Sequence, residues 1–289
     1  MRDIVRVAAI PLNSQSGDTG GNLERIEEAS REAAEAGAQI ALFPELSLCG
    51  FIPNHPVGDH AAWLRTALRA ARAGAQTVPG PATAALAQIA AKTGLLIAAG
   101  LLEDAGNCLH NTHVLVGPGG LLGAWRKLHV PMFEMPFYNG GSGLAVVETE
   151  LGRIGVNICF DALIPESTRL LAVENVEIVL FPFAADPAPG TVEAWAEWAL
   201  PALRARCGEN GVFGLAANYL GDVSCAGVEQ SFPGGAVAVG PRGEVLAGPR
   251  AGMLVTEFHR EDLLSARAEP EALFRFRRPE LYGPLTRLG

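Results

Sequence analysis

Short apolar runs alternate with stretches in which apolar residues recur every three or four positions, along the whole chain. Residues 4–12 form a β-rich run. Leu23, Ile26, Ala29, Ala33 and Ala36 then recur at helical spacing, with Asn22 offered as the cap and Gly37 as the stop. Residues 39–43 are apolar but too few for a helix, so they read as a buried strand ending at Pro44-Glu45. Helices are predicted over 61–73 and 81–92, the second with Pro81 in its first turn and Gly94 just past its end. Strands are predicted over 95–102, 108–116 and 121–128, and a hairpin over 144–148 and 153–158 around Gly152. Pro165 opens a helix to residue 173. A buried strand at 178–183 and a helix at 192–207 follow. Strands at 212–217, 236–239, 245–247 and 253–258 complete the pattern. Pro279 and Pro284 interrupt any helix in the tail, which reads as an extended arm over 275–289. Helices and strands interleave with no low-complexity linker, so residues 1–289 are expected to form a single α/β domain whose helices cover its sheets.

Composition narrows the function. The chain is 49% hydrophobic and 18% charged, enough apolar surface for a large core. Its net charge of −9 disfavours nucleic acid or an anionic membrane as partner. No apolar stretch is long enough to span a membrane. The first residues run straight into a strand, and no signal peptide is expected. Cys49, Cys108, Cys159, Cys207 and Cys225 show no paired spacing, which argues against disulfides and a zinc site and for a reducing, cytoplasmic location. Cys108, His110 and His113 are the nearest thing to a metal cluster, but strand alternation sends His113 to the opposite face. No metal is expected.

Dinucleotide, phosphate-loop, zincin and serine-elbow motifs are absent. Three strand-end segments stand out instead. In Phe43-Pro44-Glu45 a carboxylate directly follows a buried strand, where it is poorly solvated unless it has a partner or a task. Arg126-Lys127-Leu128-His129 ends another strand; taken alone, it is a solvated face. In Cys159-Phe160-Asp161 a cysteine enters a tight turn before a helix, which places backbone N–H groups beside a nucleophile. Asp161 alone reads as a helix N-terminal cap, and Glu166 as a partner of the helix dipole.

Together these segments resemble the nitrilase superfamily, the carbon–nitrogen hydrolases with a Glu-Lys-Cys triad. Further marks agree: Asn111-Thr112 before the lysine, Arg204-Ala205-Arg206 with Glu209-Asn210, Asn218, Gly234-Gly235 and Pro241-Arg242-Gly243. Ala236 departs from the serine common in relatives. The resemblance runs from about residue 5 to 258 and implies a four-layer α-β-β-α sandwich. It assigns Glu45 as general base, Cys159 as nucleophile and Lys127 as stabiliser of the tetrahedral intermediate. Glu134 is the second glutamate and the Phe160 N–H the second oxyanion donor. It implies hydrolysis through a thioester, with no metal or organic cofactor. It also implies a homodimer or larger homo-oligomer, with the tail available to embrace a partner subunit.

Phe160-Asp161 after the cysteine resembles the amidase, ω-amidase and carbamoylase branches, whereas nitrilases tend to carry Trp-Glu there. A small amide or N-carbamoyl compound is therefore the expected substrate, with a nitrile or a non-catalytic binding role as alternatives. Pocket candidates are Phe51, His55, Phe133, Phe137, Tyr138, residues 183–186 and Trp195. Arg204 and Arg206 are candidates either to hold a substrate carboxylate or to serve the fold.

Overall fold

A computed structural model of the chain describes residues 1–54 and 58–287. The chain begins with β1 (Ile4–Ala9), α1 (Thr19–Glu35), β2 (Ile40–Leu42), α2 (His60–Gly74) and α3 (Pro81–Thr93). Three long strands follow, β3 (Leu96–Asp104), β4 (Leu109–Gly117) and β5 (Gly120–Arg126). Next come β6 (Val147–Thr149), β7 (Gly152–Val156), α4 (Pro165–Val173), β8 (Ile178–Phe183), α5 (Val192–Asn210) and β9 (Phe213–Asn218). The ribbon β10 (Leu220–Cys225) and β11 (Val228–Pro233) precedes β12 (Ala236–Val239), β13 (Val245–Arg250), β14 (Leu254–His259) and α6 (Arg260–Ala268).

Among the described residues the strands form two six-stranded sheets, ordered β14-β1-β2-β3-β4-β5 and β13-β12-β9-β8-β7-β6, and the separate β10–β11 ribbon. The central strands β1, β2 and β3 run parallel, as do β7, β8 and β9. Side-chain alternation builds the layers. Val5, Val7, Ala9, Ile40, Leu42 and Ala98 face inward and join one core with Ile154, Val156, Ile178 and Leu180 of the second sheet. Ala8, Ala41, Phe43, Ile97 and Ala99 point the other way and bury Ile26 and Ala33 of α1 and Leu86 and Ile89 of α3. On the far side, Leu171 of α4 and Trp195, Ala199 and Leu203 of α5 cover the second sheet. The result is the expected α-β-β-α sandwich. Because both faces are covered, the central strands read as continuous apolar runs.

Some local expectations are corrected. Asp18, not Asn22, caps α1, its carboxylate accepting the Gly21 N–H; Asn22 is buried and bonded to Gln15 and Leu48. Helix α5 continues to Asn210 and stops at Gly211, whose φ of +60° suits glycine. The described part of the tail is a series of short 3-10 turns rather than an extended arm, and the guanidinium groups of Arg169 and Arg277 both lie over the Phe274 ring.

Candidate active site

Glu45 and Cys159 follow parallel strands, β2 and β7, at the carboxyl edge where open α/β sheets gather ligands, and Lys127 follows β5, which pairs antiparallel with β4. Glu45 follows β2. The Leu48 N–H bonds the Gly100 carbonyl at 2.8 Å, and the Gly100 N–H bonds Ser47 Oγ at 3.1 Å. A Cβ on Gly100 would fall 2.3 Å from the Leu46 nitrogen, so only glycine lets β3 approach this turn so closely. Leu46 itself takes a left-handed conformation, φ +53°. This backbone holds Glu45 fully buried.

Lys127 follows β5 and is also fully buried. Its backbone N–H bonds the Asn111 carbonyl at 2.8 Å. Its neighbour Arg126 turns to the other side, where Nε and Nη2 grip the Glu103 carboxylate at 2.9 and 2.6 Å. Thr112 completes that grip with a 2.7 Å bond to Glu103. Lys127 Nζ lies 2.7 Å from Glu45 Oε1 and 2.7 Å from Glu134 Oε2. Asn111 Nδ2 donates to Glu45 Oε1 at 2.6 Å. Glu45 Oε2 is buried and has no hydrogen-bond partner among the described residues. One ammonium thus serves two carboxylates and leaves one carboxylate oxygen open to accept a proton.

Cys159 follows β7 and begins a 3-10 turn to Leu163. Its φ of +48° lies in the left-handed region, which a non-glycine residue occupies only when its surroundings hold it there. It is 7% exposed. The first amides of such a turn have no acceptor within it, so the Phe160 N–H is free of intrahelical bonding. Asp161 joins this turn to the lysine loop. Its carboxylate accepts the N–H groups of Leu128, His129 and Ile158 at 3.1, 2.8 and 3.3 Å, and meets His129 Nδ1 at 2.9 Å. It is not the cap of the following helix, as expected from its place in sequence.

Charge and burial oppose each other here. Burial, with the Glu45 and Glu134 charges, pushes the Cys159 thiol well above its ordinary value, while Lys127 and the Ala184 N–H pull it down. Burial lifts the Glu134 carboxyl to about 7, against the pull of Lys127. The Lys127 ammonium loses hydration, yet the two carboxylates hold it well above the usual lysine range. Burial likewise raises Asp161, against the pull of its backbone donors.

The sequence model described as Carbon-nitrogen hydrolase matches residues 6–267. The chain belongs to that family. A nitrilase of Pyrococcus abyssi is 31% identical over 246 residues, covering 84% of each chain. An N-carbamoylputrescine amidase of Solanum lycopersicum is 27% identical, covering 99% of this chain and 96% of its own. The solved amidase of Nesterenkonia sp. AN1, from the nitrilase superfamily, superposes with a TM-score of 0.74 at 25% identity over 97% of each chain. Another of its structures shows acrylamide added to the active site cysteine.

Within this hydrolase fold, Glu45, Lys127, Glu134 and Cys159 form one electrostatically coupled group. Tyr138 borders it: burial and the nearby Glu134 and Glu45 charges raise its hydroxyl well above the ordinary value. Phe51 is buried against Tyr219 and Phe232, in the same apolar cluster as Tyr138, Phe137 and Ala184. Phe183 and Trp195 stack edge to face within the core between sheet and helix. Phe133 is 58% exposed, between the exposed Met132 and Met135. Arg204 is not with the group: its Nε bonds the Gly243 carbonyl at 2.8 Å, in a separate cavity between α5 and the tail. His55 lies outside the described residues. His110 Nδ1 meets the Asn139 carbonyl, while His113 is fully buried; among the described residues no three metal-binding side chains cluster.

Sequence reasoning gave no role to Gly100, placed Ala184 only among the pocket candidates, and gave Asp161 the wrong role. Asn111 and Asn218 were noted only as motif marks. Asn218 fixes the Ala184–Ala185 segment, bonding the Ala185 N–H and carbonyl at 2.9 Å each. The signal available for both asparagines was a polar residue within an otherwise buried strand.

Proposed function

We propose that the chain hydrolyses the C–N bond of a small amide or N-carbamoyl compound through a thioester on Cys159. The observation that carries this reading is the open, buried Oε2 of Glu45, on a carboxylate whose other oxygen is held by Lys127 and Asn111. That oxygen takes the thiol proton as sulfur attacks the carbonyl carbon. The oxyanion forms against the Lys127 ammonium and the Phe160 N–H, each such donor being worth about 10²–10³ in rate. Protonated Glu45 passes the proton to the departing nitrogen, the C–N bond breaks, and ammonia or an amine leaves. Glu45 then deprotonates a water that attacks the thioester, and the acid is released as the thiol reforms. Glu134 holds Lys127 in place throughout.

Phe160-Asp161 and the Solanum and Nesterenkonia relatives support an amide or carbamoyl bond. Nitrile hydrolysis by the same residues is the second reading, favoured by the Pyrococcus relative. Ammonia release from butyramide, an N-carbamoyl amine and butyronitrile separates the two. Cys159→Ala and Glu45→Gln should each abolish turnover while preserving the fold; a fully active Cys159→Ala enzyme would overturn the mechanism.

A cytoplasmic homodimer or larger homo-oligomer belongs to the same proposal. Exposed Leu170, Trp198, Leu273 and Phe276 supply apolar surface for a second copy, and the mass in solution tests this. Among the described residues, no helix is long and apolar enough to cross a membrane.

A further inference from the structure

Among the described residues the site is rich in carboxylates and short of cations. Glu45 and Glu134 share the single ammonium of Lys127, and Asp161 is buried two residues beyond the nucleophile. The chain has only two lysines, and the other, Lys92, pairs with Glu27 at the surface. Among the described residues the buried cations other than histidines are Lys127 and Arg206. Arg206 reaches the Cys159 turn from behind, where it donates to the Ala162 and Leu163 carbonyls at 3.2 and 3.4 Å and pairs with Glu209 at 2.7 Å. Arg126 is committed to Glu103. Tyr138, beside Glu134 and Glu45, belongs to an apolar cluster with Phe51, Trp63, Phe137 and Phe232.

We infer that the site selects neutral or cationic substrates and rejects those with a carboxylate near the scissile carbonyl or on the leaving amine. This deepens the hydrolase reading and rests on it. Among the described residues, a carboxylate brought into the site would lose its hydration, find no unengaged cation and face fixed like charges. The developing oxyanion already draws on the one ammonium present. A like charge about 8 Å away in a medium of intermediate dielectric costs roughly 30-fold in kcat/KM relative to a neutral isostere.

Two matched comparisons test this. In the first, ammonia release is followed for glutaramate against pentanamide, and for N-carbamoyl-β-alanine against propylurea and N-carbamoyl-1,3-diaminopropane. The neutral and cationic members should exceed the carboxylates by about 30-fold in kcat/KM. Equal or better turnover of the carboxylates overturns the inference. In the second, Cys159 is alkylated with iodoacetamide or iodoacetate. Labelling is read by peptide mass spectrometry, and the rate ratio is normalised to that on glutathione. Iodoacetamide should be favoured by a similar factor; a normalised ratio near one overturns the inference. This arm needs no turnover. If no amide releases ammonia, the hydrolase reading fails while the alkylation ratio still decides the charge preference.

Discussion

Asp161 Oδ1 lies 2.8 Å from the backbone nitrogen of His129, and this bond ties the loop after Lys127 to the turn that carries Cys159. The same carboxylate takes the Leu128 and Ile158 N–H groups, so one side chain satisfies donors from both strand ends. Removing it leaves buried N–H groups unpaired. Asp161→Ala is therefore expected to cost about 2–3 kcal/mol of stability and on the order of 10²-fold in kcat. Denaturant unfolding and ammonia release check both. A variant of unchanged activity would show that the two loops hold their geometry without the bridge.

The Lys127 ammonium compensates two carboxylates that would otherwise face each other uncovered. Lys127→Met should cost about 3–5 kcal/mol, because breaking a buried ion pair leaves unpaired charge behind. Activity should fall by about 10²-fold or more. Adding Glu134→Gln removes one of the stranded charges. The double variant should regain about 1–2 kcal/mol without regaining activity, a coupling that urea unfolding of the four proteins in the cycle measures. Strict additivity would mean the ammonium does not couple the two carboxylates.

The layers of the fold were legible because both faces of the central strands are buried, which gives short apolar runs no other element produces. Proline and glycine marked the ends of α3 and the start of α4. The β10–β11 ribbon escaped notice because only part of one face is covered: in β10 Val223 alone is buried, among Gly221, Asp222 and Ser224. Helix α6 was missed because its charged sequence, Arg260-Glu261-Asp262, hides a narrow apolar stripe of Leu263 and Ala266. The strand-end residues Glu45, Lys127 and Cys159 were visible as chemistry out of place. The Leu128 and His129 partners of Asp161 and the Gly243 partner of Arg204 were not, since they lie more than thirty residues away in sequence and follow from the packing of loops.

Gly100 offers a direct test of how tightly the base is placed. A methyl group there would fall 2.3 Å from the Leu46 nitrogen and 3.0 Å from the Glu45 carbonyl carbon. Both are backbone atoms of the turn that carries the carboxylate, so relief requires the turn to move. Gly100→Ala is expected to lower stability by about 1–3 kcal/mol and kcat by at least about tenfold. Full activity in the variant would mean that Glu45 tolerates the shift of its turn that this close approach forces.

Glu134 makes the stability of the protein depend on pH. Its carboxyl ordinarily titrates at 4.5 and is lifted to about 7 by burial, despite its bond to Lys127. Between those values the folded chain holds a proton that the unfolded chain has released. The stabilising contribution is complete below the unfolded value and is lost as pH rises through about 7. A shift of this size is worth on the order of 3 kcal/mol. Glu134→Gln cannot titrate, so its stability relative to the wild type should rise by up to that amount between pH 4 and pH 8. Urea unfolding of both proteins across this range reads the difference. Parallel profiles would mean that Glu134 carries the same charge in both states, with Lys127 fully offsetting its burial.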